Sequence, residues 1–248
     1  FRSNKFITKI KADTLPFDIS TNFAAASAVP PVAIKSSIIK TASFSSIESS
    51  DQIKLIKNCY WPLLDLVSST GLKIGIEISG SSLEKVAALD PSWIEKFLKL
   101  HSQGLIELIG SGAYQIIGPL IPYDINLSNQ TIGLKIYNKI LGITPKCALV
   151  NEMAFSSGVV DFYVEAGFEA LLMERNNAAL ALKNKTLRDI DKIKYLQGTS
   201  DNSIKVLWTD SIMFQRLQRY IHNDISLQTY YEELNEYQLK FSNNLPIY

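Results

Sequence analysis

From Asp51 onward the chain alternates short apolar runs with longer amphipathic ones, and this alternation limits the fold more than any other feature of the sequence. Residues 73–78 (KIGIEI), 105–109, 147–150 (CALV), 170–173 (ALLM) and 204–208 are short and apolar, as buried strands are. Ahead of the first, Ile53, Ile56, Tyr60, Leu63, Leu64 and Val67 recur at helical spacing, with Pro62 expected to bend that helix and Gly71 to close it. Asp90 and Pro91 supply an N-cap and a first-turn proline for a helix that carries Trp93, Ile94, Phe97, Leu98 and His101 and stops at Gly104. Residues 128–141, 159–166, 211–221 and 227–241 read as further helices, the first two ended by Gly142 and Gly167. Apolar strands separated by helices call for a mainly parallel α/β sheet covered by helices. Neither G-x-G-x-x-G nor G-x-x-x-x-G-K-[ST] follows a strand, so the dinucleotide and P-loop signatures are missing, and no internal repeat is visible.

Composition then narrows the chemistry. The 248 residues carry 25 basic and 24 acidic side chains with no basic run, a poor partner for nucleic acid or an anionic membrane. No apolar run approaches the ~20 residues a membrane helix needs, and a cytoplasmic location is expected. Cys59 and Cys147 are too few for a disulfide framework or a four-cysteine zinc site. His101 and His222 leave little for a histidine-rich metal centre or a histidine-dependent triad. No metal or other cofactor is expected, and carboxylates are left to do the chemistry. Residues 24–33 read AAASAVPPVA, and no acid occurs from Ser20 to Ile47. Residues 1–40 are therefore expected to be a linker-like or poorly ordered segment, ahead of a catalytic unit over 41–248.

The acids fall in a pattern. Glu77 ends the first strand, Glu107 lies within the second, Glu152 follows the third behind Asn151, Glu174 follows the fourth, and Asp210 follows the fifth behind Thr209. In a parallel α/β barrel the carboxyl ends of the strands gather at one face, where catalytic groups sit. Structural roles compete for most of them: Asp210 as a helix N-cap, Glu174 as an ion pair with Arg175, Glu77 as an acceptor for the Gly80-Ser81-Ser82 turn, Glu107 as a buried, hydrogen-bonded acid. Glu152 caps nothing obvious. Two carboxylates at a barrel mouth suit glycoside hydrolysis, one attacking the anomeric carbon and the other protonating the leaving oxygen, with spacings of ~5–5.5 Å for retention and ~6.5–9.5 Å for inversion. Tyr114, Tyr123, Phe155 and Trp208 are either sugar-stacking platforms or ordinary packing residues.

Four stretches carry a family resemblance: YWPLLD (60–65), GLIELIGSGAYQIIGPLIPYD (104–124), PKCALVNEMAFSSG (145–158) and WTDSIMFQRLQRYIH (208–222). Together they resemble glycoside hydrolase family 57, in particular a bacterial branch of it. The resemblance implies a distorted, incomplete (β/α)7 TIM-like barrel followed by a helical region. It also implies a retaining enzyme on α-linked glucans or oligosaccharides, of the α-amylase or 4-α-glucanotransferase type. Glu152 matches the family's nucleophile and Asp210 its general acid/base, while Glu107 falls in a motif lining a substrate subsite. The substrate-binding set expected around them is Glu77, Glu107, Tyr114, Gln115, Asn151, Glu174 and Trp208. The sequence departs from the family in three places. Residues 37–47 hold no counterpart of a first-strand histidine, Arg175 stands where relatives tend to have Trp, and the chain stops in Leu245-Pro246-Ile247-Tyr248 as if a strand were starting. The chain is accordingly expected to be a piece of a longer protein, truncated at its C-terminal end. A degenerate carbohydrate-binding remnant is the competing reading. A metal-dependent polysaccharide deacetylase would need an Asp and two His at strand ends, which His101 and His222, both on helices, do not provide.

Overall fold

The computed structural model describes residues 38–40, 49–181 and 186–241. All five expected strands form, as β2 (Ile74–Glu77), β3 (Ile106–Ile109), β4 (Cys147–Leu149), β5 (Ala170–Glu174) and β7 (Ser203–Thr209). Two strands join them that the pattern did not announce, β1 (Ile38–Lys40) and β6 (Tyr195–Gln197). β1 falls inside the stretch expected to be linker-like, and the rest of that stretch lies outside the described residues. Strand order is β1-β2-β3 in one sheet and β4-β5-β7-β6 in the other. A parallel bridge between Gly110 and Ala148 links the two, the Gly110 N–H donating to the Cys147 carbonyl at 2.8 Å and the Leu149 N–H to the Gly110 carbonyl at 2.9 Å. Every pairing is parallel except β6 with β7. The molecule is thus an α/β fold with parallel strands, and among the described residues β1 and β6 stand at the two ends of an open series.

Ten helices accompany these strands in the described residues: α1 (Ser49–Leu55), α2 (Trp61–Thr70), α3 (Gly80–Leu89), α4 (Pro91–Ser102), α5 (Tyr123–Leu141), α6 (Ser157–Ala166), α7 (Arg175–Ala181), α8 (Leu187–Asp191), α9 (Ser211–Ile221) and α10 (Leu227–Phe241). The expected bend at Pro62 is displaced. Pro62 sits in the first turn of α2, where its missing N–H has no partner to lose, and the irregularity is a π-turn over Ile56–Tyr60 just before it. The Gly80-Ser81-Ser82 turn is the start of α3, because the Ser79 hydroxyl caps it by accepting from the Ser82 N–H. Among the described residues no helix is long and apolar enough to cross a membrane.

The outward faces of the strands are buried under the helices. Ile74, Ile76, Ile106 and Leu108 point outward into a cluster with Leu64, Val67, Trp93, Phe97 and Tyr137. Ala148, Leu171, Met173, Ile204 and Val206 pack outward against Val159, Val160, Phe162 and Tyr163 of α6. The opposite, inner face holds a smaller cluster of Ile109, Cys147, Leu149 and Leu172, with Met153, Ala170 and Leu207 against it. Glu77, Glu107 and Thr209 alternate with outward residues and so share this inner face.

Helix α5 fixes the loop that follows β3. The Ala113 N–H donates to the Asn129 carbonyl, and the Asn129 side chain both accepts from the Tyr114 N–H and donates to the Tyr114 carbonyl, each at 2.9 Å. This close approach requires glycine at 133, since a Cβ there would lie 2.5 Å from the Gly112 carbonyl carbon. Gly133→Ala is expected to destabilise the fold by about 1–3 kcal/mol, as overpacking against backbone does. Urea denaturation of the variant beside the parent checks this.

Candidate active site

The register of β4, β5 and β7 brings their ends level. Leu149 pairs with Leu172, and Glu174 with Thr209. Asn151 and Glu152 follow β4, Arg175 follows β5 and Asp210 follows β7, so these residues leave the sheet at its carboxyl edge.

Asn151 anchors the first of these positions. It is buried, its Oδ1 accepts from the Ser111 hydroxyl at 3.0 Å, and its Nδ2 donates to the Ser111 carbonyl at 3.4 Å, tying the end of β4 to the loop after β3. The chain then makes a tight turn over Asn151–Met153, in which Glu152 (φ 53°) and Met153 (φ 51°) are both left-handed. Each such non-glycine residue costs about 1–3 kcal/mol and persists only where its surroundings over-determine it. Here the Met153 side chain packs against the inner cluster, and the Met153 and Ala154 N–H groups donate to the Val150 and Asn151 carbonyls. The turn leaves Glu152 exposed at the edge of the sheet.

Asp210 is placed differently. It caps α9, its Oδ1 accepting from the Ile212 N–H at 2.9 Å, so the N-cap role open to it in the sequence is realised. Its Oδ2 accepts from Arg175 Nε at 2.9 Å and from the Tyr237 hydroxyl, and lies 2.6 Å from Arg175 Nη2 in the same ion pair. Arg175 is 4% exposed and begins α7. Its Nη1 donates to both oxygens of Asp191 at 3.2 and 3.0 Å, and its Nη2 to the Tyr237 hydroxyl at 3.0 Å. Burial alone would push the Arg175 guanidinium down, but the hydrogen bond to Tyr237 and the charges of Asp210 and Asp191 outweigh it and hold it above its ordinary value. Burial, followed by the hydrogen bond to Asp210, pushes the Tyr237 phenol up to about 12. Arg175, Asp191 and Tyr237 were not foreseen as one cluster. The pairs they form with each other and with Asp210 are 16, 35, 27 and 62 positions apart, and no local spacing signals them.

The remaining expected residues divide. Glu174 ends β5 and accepts from the Asn177 side chain at 2.8 Å, while the Arg175 guanidinium beside it is directed to the two aspartates. Glu77 is buried at the end of β2 and accepts from Gln115 Nε2 at 3.3 Å, joining two expected subsite residues, and the role proposed for it in capping the following turn belongs to Ser79. Burial, reinforced by the Glu77 charge, raises the nearby Tyr137 and Tyr163 phenols. Glu107 is exposed rather than buried and pairs with Gly75, two residues short of the β3 end, so it lies below the carboxyl edge. Burial, with the Glu107 charge second, pushes the Cys147 thiol up to about 12.

Among the aromatics, Tyr114 (63% exposed) and Phe155 (39% exposed) stand free on loops after β3 and β4. Trp208 turns to the helix-covered face, its Nε1 donating to the Ile193 carbonyl at 2.9 Å, because the pleat sends residues 204, 206 and 208 outward together. Tyr123 likewise packs on Phe162, with its hydroxyl donating to Glu165. His101 lies 2.8 Å from the Ile106 carbonyl and stacks on Phe97, and His222 ends α9. Among the described residues no three His, Cys, Asp or Glu side chains are grouped to hold a metal ion.

A parallel, helix-covered sheet that gathers acids from adjacent strand ends at one edge is the layout on which α/β proteins build carboxylate sites. Residues 25–243 match glycosyl hydrolase family 57, and the chain belongs to that family. Over 119 residues, 48% of the chain, it is 22% identical to an alpha-amylase of Pyrococcus furiosus, 18% of which is covered. Its fold is similar to that of a 4-alpha-glucanotransferase from Thermococcus litoralis (TM-score 0.66, 18% identity, 73% of this chain and 28% of that one). It is similar also to the alpha-amylase AmyC of Thermotoga maritima (TM-score 0.56, 13% identity, 72% and 46%). The chain spans less than half the length of each of these relatives.

Proposed function

We propose that this chain belongs to a retaining glycoside hydrolase or glycosyltransferring enzyme acting on α-linked glucans or oligosaccharides, with Glu152 as nucleophile and Asp210 as acid/base. Family membership over residues 25–243 and the activities named for the amylase and glucanotransferase relatives support the reaction class. One observation carries the residue assignment: Glu152 is held exposed at the carboxyl edge on a turn of two consecutive left-handed residues. In this reading Glu152 attacks the anomeric carbon to form a glycosyl ester. Asp210 serves the departing and incoming oxygens, and water or a sugar hydroxyl completes the second displacement. Glu77 with Gln115, Asn151 and Glu174 would line the sugar subsites, and Tyr114 and Phe155 offer exposed ring faces for stacking. The strand series would form part of a distorted (β/α)7 barrel.

Proton NMR during turnover of an aryl α-glucoside tests this. The first-formed sugar is expected to be the α-anomer, and a β-anomer would exclude the nucleophile role of Glu152. A second reading, carbohydrate binding without turnover, is favoured by the engagement of Asp210 with Arg175, Tyr237 and the Ile212 N–H. Retention on an amylose matrix without release of the aryl group would select it.

A further inference from the structure

We propose that Ser111 is a positioning residue for the reaction: through Asn151 it holds the left-handed turn that presents Glu152, and so sets the rate of glycosyl transfer without touching the sugar. The inference rests on the nucleophile role given above to Glu152. Its basis is the way the sheet hands over to that turn. The Leu149 N–H donates to the Gly110 carbonyl at 2.9 Å, and the Val150 N–H to the Leu172 carbonyl of β5 at 3.3 Å. Beyond Val150 the chain closes on itself, the Met153 N–H donating to the Val150 carbonyl at 2.9 Å and the Ala154 N–H to the Asn151 carbonyl at 3.2 Å. Side chains then carry the link between the ends of β3 and β4 onward. The Ser111 hydroxyl donates to Asn151 Oδ1 at 3.0 Å, and Asn151 Nδ2 donates to the Ser111 carbonyl at 3.4 Å. Glu152 and Met153 follow at φ 53° and 51°. Such a pair persists only where its surroundings over-determine it, and a shift of Asn151 re-aims the carboxylate next to it.

Ser111 is itself fixed. Its N–H donates to the Tyr137 hydroxyl at 3.1 Å, and that hydroxyl donates to the Ile78 carbonyl, past the end of β2, at 2.6 Å. Tyr137 belongs to α5 and is fully buried. One run of contacts therefore leads from α5 and the end of β2, through Ser111, to the turn after β4. Ser111 is 0% exposed and Asn151 3%. A hydroxyl so placed reaches no substrate and acts on rate only through the groups that it holds. Attack on an anomeric carbon needs the reacting oxygen in a near-attack placement, and a misplacement of about 1 Å can cost about 10²-fold.

Rescue by azide on the intact chain separates positioning from support of the fold. In Glu152→Gly the attacking carboxylate is gone and azide takes its place. A terminal azide nitrogen forms a bond to the anomeric carbon of 2-chloro-4-nitrophenyl α-maltotrioside while the bond from that carbon to the aryl oxygen breaks. The electron pair leaves on the phenolate, and β-maltotriosyl azide is the product. Where azide attacks, the aim of Glu152 no longer matters.

Ser111→Ala in the parent chain is expected to lower kcat for the aryl maltotrioside by about 10-fold to 10²-fold, with KM within about twofold, the pattern of an interaction realised at the reacting centre and not in binding. In the Glu152→Gly chain with azide, adding Ser111→Ala is expected to change the rate by less than about twofold. Ser111→Gly removes the same hydroxyl and replaces the alanine variant if that chain does not fold. An equal loss in the parent and in the azide-rescued chain would overturn the proposal, because Ser111 would then support the site as a whole, and would leave the Glu152 reading intact. Unchanged kcat of Ser111→Ala in the parent would do the same. Undiminished turnover by Glu152→Gly, or no β-maltotriosyl azide from it, would overturn the nucleophile assignment and the proposal with it.

Discussion

Glu152→Gln is expected to lower turnover of an activated aryl α-glucoside on the order of 10³-fold or more, the scale set by removing a covalent nucleophile, while leaving folding stability within about 0.5 kcal/mol, as for an exposed substitution away from the core. The isosteric amide keeps the turn and changes only the attacking oxygen, so a large loss of rate without a shift in the urea midpoint isolates the chemistry. Undiminished turnover would move the nucleophile elsewhere along the carboxyl edge. Glu152→Gly carries the argument a step further, because rate and stability should move in opposite directions. At φ 53° an L residue is strained, by about 1–2 kcal/mol. Glycine removes that strain and gives back about 0.5–1 kcal/mol through its freer unfolded chain. A net gain of about 0.5–1 kcal/mol in stability with loss of turnover is the expected result. It would mark the turn as strained for function rather than for folding.

That strain was not visible in the sequence, though the acid was. Glu152 stands out in the sequence because it follows an apolar strand and caps nothing obvious, which is a local reading. The two left-handed residues depend on the Ser111–Asn151 latch and on Met153 reaching the inner cluster, contacts made across 40 positions. The five expected strands were legible for the same local reason, since β-branched and aliphatic runs bounded by breakers fix where a strand lies. β1 and β6 were not: β1 lies in the acid-free Ser/Ala/Pro-rich stretch that reads as a linker, and β6 is an antiparallel edge strand whose partly polar Tyr195-Leu196-Gln197 lacks an apolar run. Helix α3 was hidden by the Gly-Ser-Ser at its start, which reads as a turn until Ser79 is seen to cap it. Trp208 illustrates the limit of reasoning from type alone. An aromatic beside a strand end suggests a sugar platform, yet the pleat decides which face it meets, and the pleat assigns it to the core. Asp210 was recognisable as either a cap or a site acid, and its N-cap geometry is now plain, but the guanidinium it pairs with lies 35 positions away.

The same cluster sets the largest expected effect on stability. Arg175→Met removes the cation that Asp191 and Asp210 share, at side-chain exposures of 16% and 10%. Deleting one partner of a buried ion pair costs about 3–5 kcal/mol because the remaining charge stays desolvated, and here two carboxylates would be left. The variant is therefore expected to lose at least about 3 kcal/mol in urea denaturation, enough to populate unfolded chain in a domain of ordinary stability. The loss should depend on charge and not on packing, since methionine is apolar and fills much of the volume of the arginine stem. Adding Asp191→Asn to Arg175→Met is expected to recover a substantial share of it, whereas adding Tyr237→Phe, which takes away a donor from Asp210, is expected to worsen it. Equal destabilisation of the single variant and the Arg175→Met/Asp191→Asn variant would mean that the guanidinium acts through shape alone. Recovery in the doubly substituted chain would show that α7, α8, α9 and α10 are held together at this edge of the sheet by one cation and the groups that surround it.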